Sequence, residues 1–226
     1  MEKTLISALV REKTPDAAIE EAALGVADGA EAVMFDMSET PPEMRTEENF
    51  RRMIGSLDVP AQFCLYDLSD ATRLPAIDGP MLAAARAGAA YVDVSSAGVS
   101  AAKSFGAMVI VSEHLLDRSA SSDEALAIFG RQRSTGADVV KLVARMDTEA
   151  EFAEAQRVMA YLRDEFDRPW IYLGLGEYGF RQRFLGLEYG CAMEFAVHRP
   201  FPGKKDQPLI RDFVARRGEF RCRVKV

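Results

Sequence analysis

The chain has 226 residues, 48% of them hydrophobic and 28% charged, which excludes a disordered or fibrous polymer and fits one domain over residues 1–226. The longest apolar stretch, around residues 107–111, is too short to span a bilayer, and the opening MEKTLISALVREK lacks the apolar length and the cleavage site of a secretory leader. The 35 Asp and Glu against 28 Lys and Arg give a net charge of −7, which argues against nucleic acid and anionic membrane as partners, and three scattered cysteines (Cys64, Cys191, Cys222) with no CxxC point to a reduced, cytoplasmic protein without structural zinc.

Short β-rich runs alternate with helix-length segments from one end of the chain to the other. Residues 4–10 read as a strand, and Thr14-Pro15-Asp16 then supplies a cap and first turn for a helix that Asp28-Gly29 closes. Strands follow over 32–37, 61–66, 91–95, 107–112, 139–143, 170–174 and 192–197, each rich in Val, Ile, Phe, Tyr or Leu. Helices fall between them over 46–56, 79–88, 121–136, 148–166, 180–189 and 207–217, with hydroxyls and acids at the N-termini of the fourth and fifth of the seven, at Ser121–Glu124 and Asp147–Glu149. The runs MVIVS and VVKLV are apolar on both faces, as buried parallel strands require.

Gly-Ala-acid recurs at Gly29-Ala30-Glu31 and Gly136-Ala137-Asp138, with a weaker copy at Gly88-Ala89-Ala90. A helix that ends in Gly and enters a buried strand is the junction of a repeated β/α unit. Eight such units predict an α/β protein, a (β/α)₈ TIM barrel. An open doubly wound sheet is the competitor, but the first βα turn (Val10–Thr14) carries no GxGxxG. The C-terminal FRCRVKV alternates like an extra edge strand.

In a barrel the chemistry sits where strands end. Lys141 stands inside the apolar strand VVKLV, where an unpaired ammonium costs several kcal/mol and tends to shed its proton. A neutral amine there is suited to form a Schiff base with a carbonyl substrate, unless the side chain reaches out of the barrel or pairs with a core acid. His114 closes the strand MVIVSEH at the rim one strand earlier, in place to move protons or only to bond the next loop. Arg183 follows the Gly-containing loop after strand seven, a common anion site, and Glu177 and Tyr178 face the same mouth. His198 opens a Pro-rich basic loop that includes Lys204. Asp36, Tyr66, Asp70, Asp93 and Ser95 end strands or begin their loops, with no HxH, DxD or HExxH, so no metal is expected.

Ser112-Glu113-His114 together with Gly136-Ala137-Asp138-Val139-Val140-Lys141 resembles type I 3-dehydroquinate dehydratase, whose strands five and six read S-x-H and GAD-(I/V)-(I/V)-K. Leu175–Arg183 is similar to that family's M-G-x-x-G-x-x-S-R, and Gly190-Cys191 stands where it has Gly-Ser. The resemblance implies a cofactor-free lyase that removes water from a β-hydroxy ketone through an imine. Lys141 would be the Schiff-base lysine, His114 the general acid/base, Arg183 the clamp on a substrate carboxylate and Asp70 the acid that orients the histidine. A homodimer and a small carbonyl substrate are implied as well. The recognition residues depart from the pattern: Met34 and Asp36 replace a strand-two Glu and Arg, Tyr66 replaces a strand-three Arg, and Pro200–Lys204 replaces the lid's Ser-Ala-x-x-Gln. Each lost charged hydrogen bond is worth about 1.5–3 kcal/mol. The expectation is therefore a dehydratase with an altered, less polar substrate pocket built from Met34, Asp36, Tyr66, Glu177, Arg183 and Lys204. Two alternatives share the barrel: a Schiff-base aldolase, in which Asp93 would serve, and a catalytically silent barrel that binds a ligand.

Overall fold

The computed structural model describes residues 3–66, 74–200 and 207–223, leaving aside the side chains of 74–76 and 219–223. β1 (Leu5–Val10) leads into α1 (Pro15–Ala27), where the Thr14 hydroxyl accepts from Ala17 N at 3.3 Å and Pro15 takes the first helical position, losing no bond there. The alternation continues through β2 (Ala32–Asp36), α2 (Glu47–Gly55), β3 (Ala61–Cys64), α3 (Leu74–Arg86) and β4 (Tyr91–Asp93). Then come α4 (Val99–Ser104), β5 (Met108–Leu115), α5 (Ser122–Ser134), β6 (Val139–Arg145), α6 (Glu149–Glu165), β7 (Trp170–Leu175), α7 (Gly176–Tyr189), β8 (Met193–Ala196) and α8 (Ile210–Arg223). α6 starts on a full capping box, Thr148 and Glu151 each satisfying the other's backbone N–H.

All the ladders are parallel, in the order β7-β6-β5-β4-β3-β2-β1-β8. The two ends of this ribbon, β7 and β8, come together at a seam crossed by the bond from Ala192 N to Trp170 O at 2.8 Å. The strands thus curl into a nearly closed eight-stranded barrel with helices outside it, the expected (β/α)₈ class. The repeated Gly-Ala junctions do what their composition implies: Gly29, Gly88 and Gly136 all have positive φ, at 103°, 99° and 80°, which lets each helix stop and the next strand begin after a four-residue turn.

Several element ends shift by a few residues from the sequence reading, and four differences go further. β5 runs on to Leu115, so His114 is a paired strand residue opposite Val143 rather than a terminal one. α4 is a six-residue helix without a side-chain cap, and its short VSAAKS gave no periodic signal. α7 begins at Gly176, directly from β7, because Gly174 and Gly179 let strand and helix backbones touch; a Cβ on Gly179 would lie 2.4 Å from Gly174 C. Residues 220–223, read as the start of a C-terminal edge strand, are helical instead, because α8 continues to Arg223; residues 224–226 lie outside the described residues.

Candidate active site

Side chains alternate in and out along each barrel strand, and the positions at the C-terminal ends converge on one mouth. The cavity there, about 120 Å³, is lined by Lys141, His114, Tyr66, Arg11, Asp36 and Arg183, with Met34, Leu9, Val143, Leu173 and Phe195 as its apolar wall. A larger cavity of about 400 Å³ opens at the opposite end, near Tyr91, Met108 and Trp170; it lies at the N-terminal ends of the strands, away from these groups.

Lys141 is 2% exposed and points into the barrel. Its backbone is held from outside by Gln132 of α5, whose Oε1 accepts from Lys141 N at 3.0 Å and whose Nε2 donates to Lys141 O at 2.7 Å. The amine donates to the Tyr66 hydroxyl, lies 3.4 Å from Asp93 Oδ2, and sits over the rings of Tyr66 and Phe195 at 4.9 and 5.2 Å. The expectation of an unpaired amine in greasy surroundings is therefore corrected. Asp93 supplies the counter-charge that an ammonium at this depth requires.

Asp93 gathers the rest of the site. It accepts from the Tyr66 hydroxyl at 2.6 Å and from Ser112 Oγ at 2.8 and 2.9 Å. Ser112 lies directly across from Lys141 in the β5–β6 register. Burial, and then the Asp93 charge, push the Tyr66 phenol well above its ordinary range, so it stays a donor. The His114 ring packs edge-on against Tyr66, centroids 4.5 Å apart. Burial, reinforced by the Lys141 charge, pushes His114 down to about 3, so its imidazole is neutral at neutral pH.

The other expected residues fall differently. Met34 and Tyr66 line the mouth. Asp36 lines it too, but its oxygens are occupied: Oδ2 accepts from Arg11 Nε and Nη2 at 2.8 and 2.5 Å, and Oδ1 accepts from Ser38 N at 3.0 Å and from the Ser38 hydroxyl. Arg183 lines the cavity, yet its side chain is 2% exposed, with Nε donating to Glu194 Oε2 at 3.0 Å and Nη2 to Phe195 O. Glu194 is pushed up by burial and pulled back by Arg183. Glu177 is corrected: it is exposed on the first turn of α7, off the cavity wall, because the helix starts there instead of a loop. Tyr178 packs against Phe152 at 6.0 Å. His198 is also outside the mouth, its Nδ1 2.8 Å from Asp28 Oδ2 at the end of α1. Asp70 and Lys204 lie outside the described residues. Arg11 was missed because it follows its strand in a turn of mixed charges, VREKT, where nothing marks one charge over another. Among the described residues, no group of three or more His, Cys, Asp or Glu could hold a metal ion, and no helix is long and apolar enough to cross a membrane.

Fold and site together define a parallel (β/α)₈ barrel that carries a buried lysine, a carboxylate and a neutral imidazole at its C-terminal mouth. The chain matches the family Type I 3-dehydroquinase over residues 69–208, and it belongs to that family. It is 32% identical over 112 residues to the 3-dehydroquinate dehydratase of Alkaliphilus oremlandii (strain OhILAs), a match covering 48% of this chain and less than half, 44%, of that enzyme. The crystal structure of 3-dehydroquinate dehydratase from Geobacillus kaustophilus HTA426 superposes with a TM-score of 0.85 at 17% identity, over 97% of this chain and 92% of that one. Type I 3-dehydroquinate dehydratase from Clostridium difficile, with covalently modified comenic acid, gives a TM-score of 0.87 at 15% identity, over 97% and 93%. At these identities the two structures speak for the fold.

Proposed function

We propose that this barrel is a Schiff-base hydro-lyase that removes water from a 3-dehydroquinate-like β-hydroxy ketone. The observation that carries the reading is the Lys141 amine at the mouth, hydrogen bonded to Tyr66 and 3.4 Å from Asp93, with the His114 ring against the same tyrosine. Family membership supports it.

The ammonium first sheds a proton, for which Asp93 is the acceptor at hand. The free amine attacks the ketone carbon, and loss of that carbonyl oxygen as water leaves an iminium on Lys141. The iminium withdraws electrons, so the neutral His114 imidazole takes the proton from the α-carbon and an enamine forms. The enamine then expels the β-hydroxyl, which leaves as water with the proton that His114 returns. Hydrolysis frees Lys141 and releases an α,β-unsaturated ketone. No separate cofactor takes part. Met34 and Tyr66 bound the substrate, and Asp70 and Lys204 belong to this reading as a histidine-orienting acid and a lid contact. A reduced, cytoplasmic homodimer completes it.

The proximity of Asp93 to Lys141 also suits retro-aldol cleavage through the same imine, and the product separates the two. Reduction with borohydride in the presence of 3-dehydroquinate should add one ligand mass to the wild-type chain and nothing to Lys141→Ala. Dehydration is read as rising enone absorbance, carbon–carbon cleavage as a released aldehyde. An adduct that persists in Lys141→Ala would refute the lysine assignment.

A further inference from the structure

The Tyr66 hydroxyl stands between the buried lysine and its carboxylate. It accepts from Lys141 Nζ at 2.5 Å and donates to Asp93 Oδ2 at 2.6 Å, whereas Lys141 Nζ and Asp93 Oδ2 are 3.4 Å apart. A charge-assisted N–H···O bond is usually about 2.7–2.9 Å long, so the phenol is the closely bonded route from amine to acid. Asp93 is fixed at the far end of that route: Ser112 Oγ, across from Lys141 in the β5–β6 register, lies 2.8 and 2.9 Å from its two oxygens. A hydroxyl carries both a hydrogen and lone pairs, so it can give one proton as it takes another. Burial and the Asp93 charge hold the phenol un-ionised, so a proton passes through it without a resting phenolate. The arginine of the family pattern at this position could only donate. His114 is placed differently: it meets Tyr66 ring to ring, centroids 4.5 Å apart, and being neutral it holds no acidic proton to lend.

We propose that Tyr66 is a catalytic residue of imine formation and hydrolysis, carrying one proton between Lys141 and Asp93, and that His114 acts only in the dehydration between those steps. The role rests on the Schiff-base reading above. The Lys141 ammonium gives a proton to the Tyr66 oxygen as the Tyr66 hydrogen passes to Asp93, leaving a free amine and a protonated acid. The amine nitrogen then bonds the ketone carbon and the carbonyl π pair moves to oxygen. The nitrogen's surplus proton follows it, giving a carbinolamine. The carbon–oxygen bond breaks as Tyr66 gives its proton to the leaving hydroxyl and takes back the one on Asp93. Water and the iminium result, Asp93 is again a carboxylate, and solvent has supplied no proton. Hydrolysis after the dehydration runs the same steps backwards.

The test times imine formation with 3-dehydroquinate by quenching with borohydride at set intervals, over a concentration series, and reading intact mass. Because the relay draws no proton from solvent, the wild-type rate should be flat between about pH 6 and pH 8. Tyr66→Phe should slow it at about pH 6 by about 100- to 1,000-fold, the range of a lost acid–base group, and make it climb with pH as the ammonium comes to lose its proton to water. The half-saturating concentration should stay within about threefold of the wild type's, since the loss falls on proton transfer and not on binding. His114→Gln should form the imine at close to the wild-type rate and then stall, its adduct keeping the mass of the undehydrated substrate. Should Tyr66→Phe fail to fold, para-aminophenylalanine in place of Tyr66 keeps the ring and a donor toward Asp93 but has no proton to pass on near neutral pH, and the same pH-dependent loss is expected. A wild-type rate that itself climbs with pH, a loss in Tyr66→Phe that is equal at every pH, an unchanged rate in that variant, or equal slowing of imine formation in His114→Gln would each overturn the role of Tyr66 while wild-type adducts left the Schiff-base reading standing. Absence of any wild-type adduct would instead remove that reading, and this role with it.

Discussion

Asp93 receives Tyr66, Ser112 and Lys141, and this convergence decides what the amine can do. A buried ammonium with a carboxylate and a phenol at hand is held in one rotamer and is compensated where it stands. His114 has no such compensation: burial and the nearby cation both oppose its protonation, taking it from 6.5 to about 3. A base that is unprotonated throughout the physiological range should give a kcat profile whose acid limb lies below about pH 5. An acid limb near the ordinary 6.5 would show that His114 is not the base in this setting. The same shift acts on stability. The folded value lies below the unfolded one, so between 6.5 and about 3 the unfolded chain binds the extra proton and stability declines as pH falls through that window. Denaturant titrations at pH 7 and pH 4.5 should show the decline shrinking in His114→Gln.

Elements built from strong local signals were legible in the sequence. The Gly-Ala junctions, the apolar strands VVKLV and MVIVS, and the Thr14 and Thr148 caps each state a local rule that the fold obeys. Lys141 and His114 were legible for the same reason: a rare polar residue inside an apolar strand stands out. Arg11 and the partnership of Lys141 with Asp93 were not, because both depend on which strands are neighbours and on which way a turn side chain swings. The start of α7 was missed because its cause is a contact across the β7–α7 interface. Gly179 fits only because it lacks a Cβ, which would meet Gly174 at 2.4–3.1 Å. Gly179→Ala is expected to cost about 1–3 kcal/mol by overpacking and to displace the helix that carries Arg183, read as a lower denaturant midpoint with an unchanged slope. A neutral result would mean that strand and helix are free to part at this point.

Across the whole molecule the barrel is a ribbon of eight strands whose first and last members, β7 and β8, meet at the seam. β6 is bonded along both edges, to β5 and to β7, whereas β8 is paired along β1 alone. Amide hydrogen exchange should therefore be at least about tenfold slower in residues 139–144 than in residues 193–196, since edge amides open at lower cost. Uniform protection across the two strands would mean the seam is as firmly bonded as the ladders. Across the seam's outer side the buried Arg183–Glu194 pair joins α7 to β8.

The seam has a further consequence for how the chain is strung. Spatial order and chain order part company at one step, from β7 to β8, while Arg217 near the end of the chain reaches Thr4 O at 3.2 Å near its beginning. A circular permutant opened at Gly190, with the old termini joined by a short linker, would lay down its strands in the order in which they pair. Every ladder would then link sequence neighbours, and the step that now requires the last strand to return to the first would become an ordinary crossover through α8 at the start of the chain.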